Sequence, residues 1–296
     1  MTAALPTEIP QLLLPGANEY AAAVTKLSQE IVKATSNMLN QSYGAEELQK
    51  LDIYLPRWDK AKKDGAVLIF FHGGAWRSGC KEWMGFMAPP FLEIASIFVA
   101  PGYRLAPINK YPAHLHDALT AVSWVYHNIA SYGGNPDKIY IGGHSAGGYL
   151  ASLVALRRDL YPHYGLPERP IRYCFPISAP FDLHNVADRV LDEYLTDRSF
   201  CREGSPIKWV DEHCPPFFLS YGQLDIPNVI ADNRAMIELM QKTSVPVSWI
   251  ECAGASHFDT HAHCVEFNHP WRREVTRILT GGSPRQGSLA TGVDSF

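Results

Sequence analysis

The chain alternates between short continuous apolar runs and longer stretches in which apolar residues recur every three or four positions. Val67–Phe71 and Ile97–Ala100 are unbroken apolar runs of strand length, the pattern of central strands covered on both faces. Leu51–Leu55, stopped by Pro56, reads as a shorter strand, as do Ile139–Ile141, Tyr173–Ile177, Phe217–Tyr221 and Val247–Ile250. Helical spacing lies between and around these runs. Tyr20, Val24, Leu27, Ile31 and Ala34 predict one face of an amphipathic helix over 18–35. Leu115, Leu119, Val122, Tyr126 and Ile129 predict another, ended by Tyr132-Gly133-Gly134-Asn135-Pro136. Ala146–Leu156 reads as a helix that follows the strand at 139–141 almost directly, and further helices are expected over 228–242 and 271–280.

Strands alternating with helices imply right-handed crossovers. The expected fold class is therefore α/β, a mostly parallel central sheet with helices on both faces. No internal repeat or low-complexity block interrupts it. Residues 1–40 read as an N-terminal arm, Pro-rich over 1–17, followed by the first helix; 41–281 read as one domain; and 282–296, rich in Gly and Ser, as a flexible tail. The charged, irregular stretch 183–213 lies between two strands. It is expected to be a small cap-like insertion over the carboxyl edge of the sheet, where ligands bind in open α/β sheets.

Composition narrows the function classes. The chain has 296 residues, 46% hydrophobic and 19% charged, enough to bury a large core and too apolar for disorder. Its 26 basic and 30 acidic residues give a net charge of −4, without the basic face that binding to nucleic acid demands. No apolar run approaches the roughly 20 residues of a membrane helix, and the N-terminus lacks the basic start and apolar core of a secretory signal. Six cysteines, with no Cys-x-x-Cys pair, suit free buried thiols in a reducing cytoplasm better than a zinc site or a disulfide frame.

The sharpest chemical signal is Gly143-His144-Ser145-Ala146-Gly147, a Gly-x-Ser-x-Gly pattern between an expected strand and an expected helix. Such a turn needs small neighbours to hold the serine at strained backbone angles. It also lifts the hydroxyl to the head of a helix, where N–H groups and the dipole favour negative charge. His72-Gly73-Gly74-Ala75-Trp76 follows the strand 67–71; its glycines let backbone N–H groups approach a ligand oxygen, and with Ala146 they are candidates for an oxyanion hole. A serine needs a base, and the base needs an orienting acid. Asp225 and His257 each follow an expected strand, and Asp182 is the second choice for the acid. His261 and His263 form a His-x-His without an acidic or Cys partner at ligand spacing, so no metal is expected. His114 and His116, which start a helix, read as solvated or capping.

These residues resemble the α/β-hydrolases, and within them the kynurenine formamidase (arylformamidase) branch and its esterase neighbours, over about residues 43–280. Tyr43-Gly44 ahead of Leu51-Asp52-Ile53-Tyr54-Leu55-Pro56 looks like that branch's opening strand. His72-Gly73-Gly74-Ala75-Trp76 matches its His-Gly-Gly-x-Trp motif, where related esterases usually show His-Gly-Gly-Gly. Tyr103-Arg104-Leu105-Ala106-Pro107 and Tyr111-Pro112-Ala113 are shared by both branches. Gly148-Tyr149 departs from the Ala and His that many formamidases carry after the elbow.

The resemblance implies Ser145 as nucleophile, Asp225 as acid and His257 as base, with Gly73, Gly74 and Ala146 as oxyanion donors and no cofactor. Trp76, Phe181 and Phe258 are the expected substrate contacts. The first expectation is an arylformamidase cleaving an N-formyl aromatic amide such as N-formylkynurenine. The alternative is a small-molecule carboxylesterase, and a remote one is a binding protein on a hydrolase scaffold. The expected partners are a small amide or ester substrate, with neither nucleic acid nor membrane, and a second copy of the chain as a candidate. The helix over 18–35 is free to cover either a pocket or a partner.

Overall fold

The computed structural model describes residues 14–57 and 64–289. In chain order the elements are α1 (Ala17–Ala34), β1 (Ser36–Ser42), β2 (Lys50–Leu55), β3 (Gly65–Phe71), α2 (Pro89–Glu93), β4 (Ile97–Pro101), α3 (Ala113–Asn128), β5 (Gly134–His144) and α4 (Ala146–Leu156). They continue with β6 (Ile171–Ile177), α5 (Asp188–Tyr194), α6 (Phe200–Glu203), β7 (Phe217–Leu224), α7 (Pro227–Gln241), β8 (Val247–Ser256), α8 (Asp259–Ala262), α9 (Pro270–Leu279) and β9 (Gly287–Ser288). The sheet order is β1-β2-β4-β3-β5-β6-β7-β8-β9. The pairs β1–β2 and β2–β4 are antiparallel, and the rest are parallel.

The unbroken apolar runs have a direct physical reason. Val67, Ile69 and Phe71 of β3 point into a core with α3, α4 and α7, while Ala66, Leu68 and Phe70 point into a second core with α1, α2 and α9. Both faces of the strand are out of water, so every position is apolar. In β4, Ile97 and Val99 face one core and Phe98 and Ala100 the other.

β1 carries no pattern that the sequence reading picked up. It is an edge strand whose positions are only half-buried or exposed. A bulge between Met38 and Gln41 puts Asn40 at φ 57°, and its N–H donates to Asp52 Oδ1 at 2.8 Å. The ammonium of Lys81 donates to the same buried carboxylate at 2.8 Å. The first helix turns Tyr20, Val24 and Ile31 inward as expected, but its face is rotated: Leu27 is 51% exposed, and Ala17, Ala21 and Ser28 are buried in its place. Ser28 tolerates burial because its Oγ accepts the Phe86 N–H at 2.9 Å.

Residues 183–213 fold as α5, α6 and short turns between β6 and β7. They are fastened to the loop before α3: the Lys110 ammonium donates to the Asp192 carbonyl at 2.7 Å and Tyr111 N–H to the Tyr194 carbonyl at 2.8 Å. Most of the N-terminal arm and residues 290–296 lie outside the described residues. Within the expected tail, Gly287–Ser288 pairs with β8 at the sheet edge. All six cysteines are free thiols. No helix among the described residues is long and apolar enough to cross a membrane.

Candidate active site

Parallel register brings the carboxyl ends of the central strands to one edge. Phe71 pairs with Gly143 and His144 with Ile177, so the turn after β3 stands beside the turn after β5. Ser145 occupies that second turn at φ 54°, ψ −121°, between the last residue of β5 and the first of α4. A non-glycine residue in this region is strained by about 1–3 kcal/mol. The neighbours make the turn possible: a Cβ on Gly147 would lie 2.2 Å from the Phe71 carbonyl oxygen. Gly148 is equally constrained, since a Cβ there would lie 2.8 Å from the Gly143 carbonyl oxygen and 2.9 Å from Ala179 Cβ. The departure from the formamidase pattern therefore goes with the close approach of α4 to the ends of β5 and β6.

Three of the residues selected in the sequence form one hydrogen-bonded line. His257 Nε2 lies 3.0 Å from Ser145 Oγ, and His257 Nδ1 lies 2.6 Å from Asp225 Oδ1. A carboxylate only accepts, so Nδ1–H donates to Asp225 and Nε2 is left bare towards the serine hydroxyl. Both Asp225 and His257 are 6% exposed. Burial pushes the Asp225 carboxyl up, but hydrogen bonds from His257, the Ser178 hydroxyl and the Ile226 N–H outweigh it and hold it below the ordinary value.

Ser178, Thr260 and His144 support this line and were missed in the sequence reading. Ser178 sits at φ 50°, just past β6, with its hydroxyl on Asp225 Oδ2 and its oxygen 2.8 Å from Thr260 Oγ1. Thr260 in turn donates to the His257 carbonyl at 2.8 Å. A sequence signal was available, because Ser178 directly follows the expected strand Tyr173–Ile177, four residues before Asp182. His144 Nε2 lies 2.9 Å from the His257 carbonyl oxygen. That oxygen only accepts, so Nε2 carries the proton and Nδ1 is a bare acceptor, buried without a partner. Burial lowers the His144 pKa to about 3, which keeps the ring neutral beside the His257 imidazole.

Other predicted residues are placed as follows. Gly73 approaches the serine closely enough that a Cβ on it would lie 3.2 Å from Ser145 Cβ. The turn continues with left-handed backbone at Gly74, Ala75 and Trp76. Ala146 opens α4, where first-turn N–H groups lack an intrahelical acceptor. Asp182 stands apart from His257; it caps the turn 183–185 through the His184 N–H and meets Ser205 and Lys208. His261 is buried, with Nδ1 accepting from the Tyr20 hydroxyl at 2.7 Å, whereas exposed His263 pairs with Glu266. No group of three or more His, Cys, Asp or Glu among the described residues is arranged to hold a metal. His114 is not solvated as expected: it is buried under the Trp76 carbonyl, within 4.9 Å of the Tyr194 ring.

Two cavities flank Ser145, and both include Ser145 and Ala75. The first, about 530 Å³, contains His257 and is walled by Tyr20, Trp83 and Phe258. Tyr20 stacks on Phe258 at 4.9 Å between ring centroids and meets Trp83 edge-on at 6.0 Å. The helix over 18–35 thus covers a pocket of its own chain. The second cavity, about 680 Å³, contains Ala146 and is walled by Trp76, Pro180, Val186, Val190, Ile226 and Val229. Phe258 and Trp76 therefore reach the cavities, whereas Phe181 does not. Phe181 is fully buried in the core, with its backbone N–H on Asp232, because the chain turns inward after β6.

The BD-FAE family model matches residues 51–165. A kynurenine formamidase from Salmo salar is 30% identical over 214 residues, covering 71% of this chain and 68% of that protein. One from Danio rerio is 25% identical over 267 residues and 88% of each chain. Esterase LipQ of Mycobacterium tuberculosis is 31% identical over 214 residues, 66% of this chain, and the chain spans only about half, 51%, of that relative's length. Among solved structures, the metagenomic carboxylesterase EstE1 superposes with a TM-score of 0.69 at 20% identity, covering 90% of this chain and 98% of the other. A Silicibacter thioesterase described as putative gives 0.73 at 21% identity, covering 90% and 95%. At such identity the structural likeness speaks for the α/β-hydrolase fold alone.

Proposed function

Because the chain belongs to the α/β-hydrolase superfamily, in the branch that holds esterases and kynurenine formamidases, we propose that it is a serine hydrolase acting through an acyl-enzyme. The observation that carries this reading is the line Ser145–His257–Asp225, with a cavity on either side of the serine. His257 takes the Ser145 proton as Oγ bonds to the substrate carbonyl carbon. Asp225 holds the imidazole in the required tautomer and offsets the cation that forms. N–H groups of Gly73, Gly74 and Ala146 receive the developing oxyanion, each worth about 3–4 kcal/mol in comparable sites. His257 then delivers its proton to the departing alcohol or amine, and a water activated by the same imidazole releases the acid and restores Ser145. All steps use groups of this chain.

The two cavities take different halves of the substrate. The leaving group must receive a proton from His257, so it belongs in the aromatic lobe of Tyr20, Trp83 and Phe258. The acyl group then fills the lobe of Val186, Val190, Ile226 and Val229. A lobe walled by Trp76, Pro180, Val186, Val190, Ile226 and Val229 offers far more apolar surface than a formyl hydrogen uses. We therefore favour esters that join an extended acyl group to an aromatic alcohol. The arylformamidase reading is the second, favoured by the aromatic leaving-group lobe. Free thiols at all six cysteines suit a reducing, cytoplasmic setting for either reading.

The test compares kcat/KM on N-formylkynurenine and p-nitrophenyl butyrate, with Ser145→Ala as the blank. Loss of serine should cost about 10⁵-fold or more on both, and Ser145→Ala enzyme that retains near-full rate sinks the assignment. A hundredfold preference for the formamide, about 2.7 kcal/mol of transition-state binding, would select the second reading over the first.

A further inference from the structure

The acyl lobe carries one charged side chain. Arg189, on α5, lines it among Trp76, Val186, Val190, Ile226 and Val229, and no Asp or Glu belongs to its wall. Two neighbouring arginines are matched: Arg77 lies 2.8 Å from a Glu193 oxygen, and Arg198 spans Asp188 and Asp192. Among the described residues no carboxylate lies within ion-pair distance of Arg189. A largely apolar slot whose one charged group is an unmatched guanidinium is complementary to an anion that accepts hydrogen bonds.

From this arrangement we infer that the acyl half of the substrate ends in a carboxylate, read by Arg189. The inference rests on Ser145 being the nucleophile and on the acyl group entering the α5 side. The substrate class is then the monoester of a dicarboxylic acid. Its apolar methylenes lie against Val186, Val190, Ile226 and Val229, and its free carboxylate reaches the guanidinium. A planar two-pronged donor suits a carboxylate better than an ammonium does. Arg189 is exposed, so the attraction is screened by salt.

The experiment measures kcat/KM for mono-p-nitrophenyl succinate, glutarate and adipate, each against its methyl-capped neutral counterpart, with spontaneous hydrolysis subtracted. The anionic-to-neutral ratio is read within each variant, which cancels any general loss of activity. Wild type is expected to favour the anion by about tenfold at the best arm length, less at high salt. Arg189→Gln should bring that ratio to about one and Arg189→Glu should reverse it, whereas Arg169→Gln, the same charge change in a different cleft, should leave it as in wild type. A wild-type ratio at or below one, or a ratio that Arg189→Gln does not move, overturns the inference. Turnover of both esters by Ser145→Ala would instead overturn the underlying reading.

Discussion

The two lobes beside Ser145 are built from different kinds of structure. The lobe proposed for the leaving group is walled by side chains tied to the supports of His257. Tyr20 stacks on Phe258, next to His257, and bonds to His261, whose ring stacks on His144 at 4.9 Å. The lobe proposed for the acyl group is walled by α5 and α7, and the segment that carries α5 is tied to the rest of the chain through Lys110, Tyr111 and the Arg77–Glu193 and Arg157–Glu203 ion pairs. One lobe can change shape only by disturbing the surroundings of the His257 imidazole, while the other can change by substitutions on a short helix. The difference points to a leaving-group side held constant by packing and an acyl side open to variation.

The largest perturbation should erase the difference between the lobes. Burial lowers the pKa of His72, His114 and His269 to about 4 and that of His144 to about 3, and holds His261 well below its usual value. Each folded pKa lies below the unfolded value near 6.5, so the unfolded chain binds more protons between the two. Stability from these rings is therefore full above pH 6.5 and is lost as pH falls towards 4. These shifts all act in the same direction, against a net stability of only about 5–15 kcal/mol for an ordinary domain. Because His144 and His261 lie under one lobe and His114 under Trp76 of the other, both should collapse together. Urea unfolding at stepped pH is expected to show one cooperative loss across this window, and undiminished stability at pH 4 would refute it.

A substitution in α5 should instead separate the lobes. Val190→Trp places a large ring in the acyl lobe and leaves Tyr20, Trp83 and Phe258 untouched. The kcat/KM ratio of p-nitrophenyl hexanoate to p-nitrophenyl acetate should fall about fiftyfold, within the range that a few methylenes decide in an apolar pocket. Discrimination between leaving groups should persist. An unchanged hexanoate-to-acetate ratio would mean that the acyl chain does not lie against α5.

The same contrast explains what the sequence made legible. Central strands buried on both faces announce themselves as unbroken apolar runs, and Gly-x-Ser-x-Gly announces a turn that few other residues could make. Asp225 and His257 were readable because parallel topology sends every strand end to one edge. The walls were not. Phe181 and Phe258 both follow strands and look equivalent, yet one turns into the core and the other into the cavity. Tyr20 was visible only as one apolar position of a helix, since its contacts with His261 and Phe258 join residues some 240 apart in the chain. β1 was missed because an edge strand with half-exposed positions carries no hydrophobic signature.

The smallest effect sharpens the leaving-group side. Tyr20→Phe keeps the stacked ring and removes the hydroxyl that donates to His261 Nδ1. If Tyr20 acts on the substrate through its ring, the kcat/KM ratio of benzyl acetate to cyclohexylmethyl acetate should stay within about twofold of wild type, because aromatic packing depends on the ring face. The cost should appear in stability. A buried imidazole nitrogen left without its donor loses about 1–3 kcal/mol, read as a lower midpoint in urea unfolding. A large fall in the aryl ratio with stability unchanged would reverse the assignment: the hydroxyl would then be a substrate contact, and the lobe a polar site beside the base.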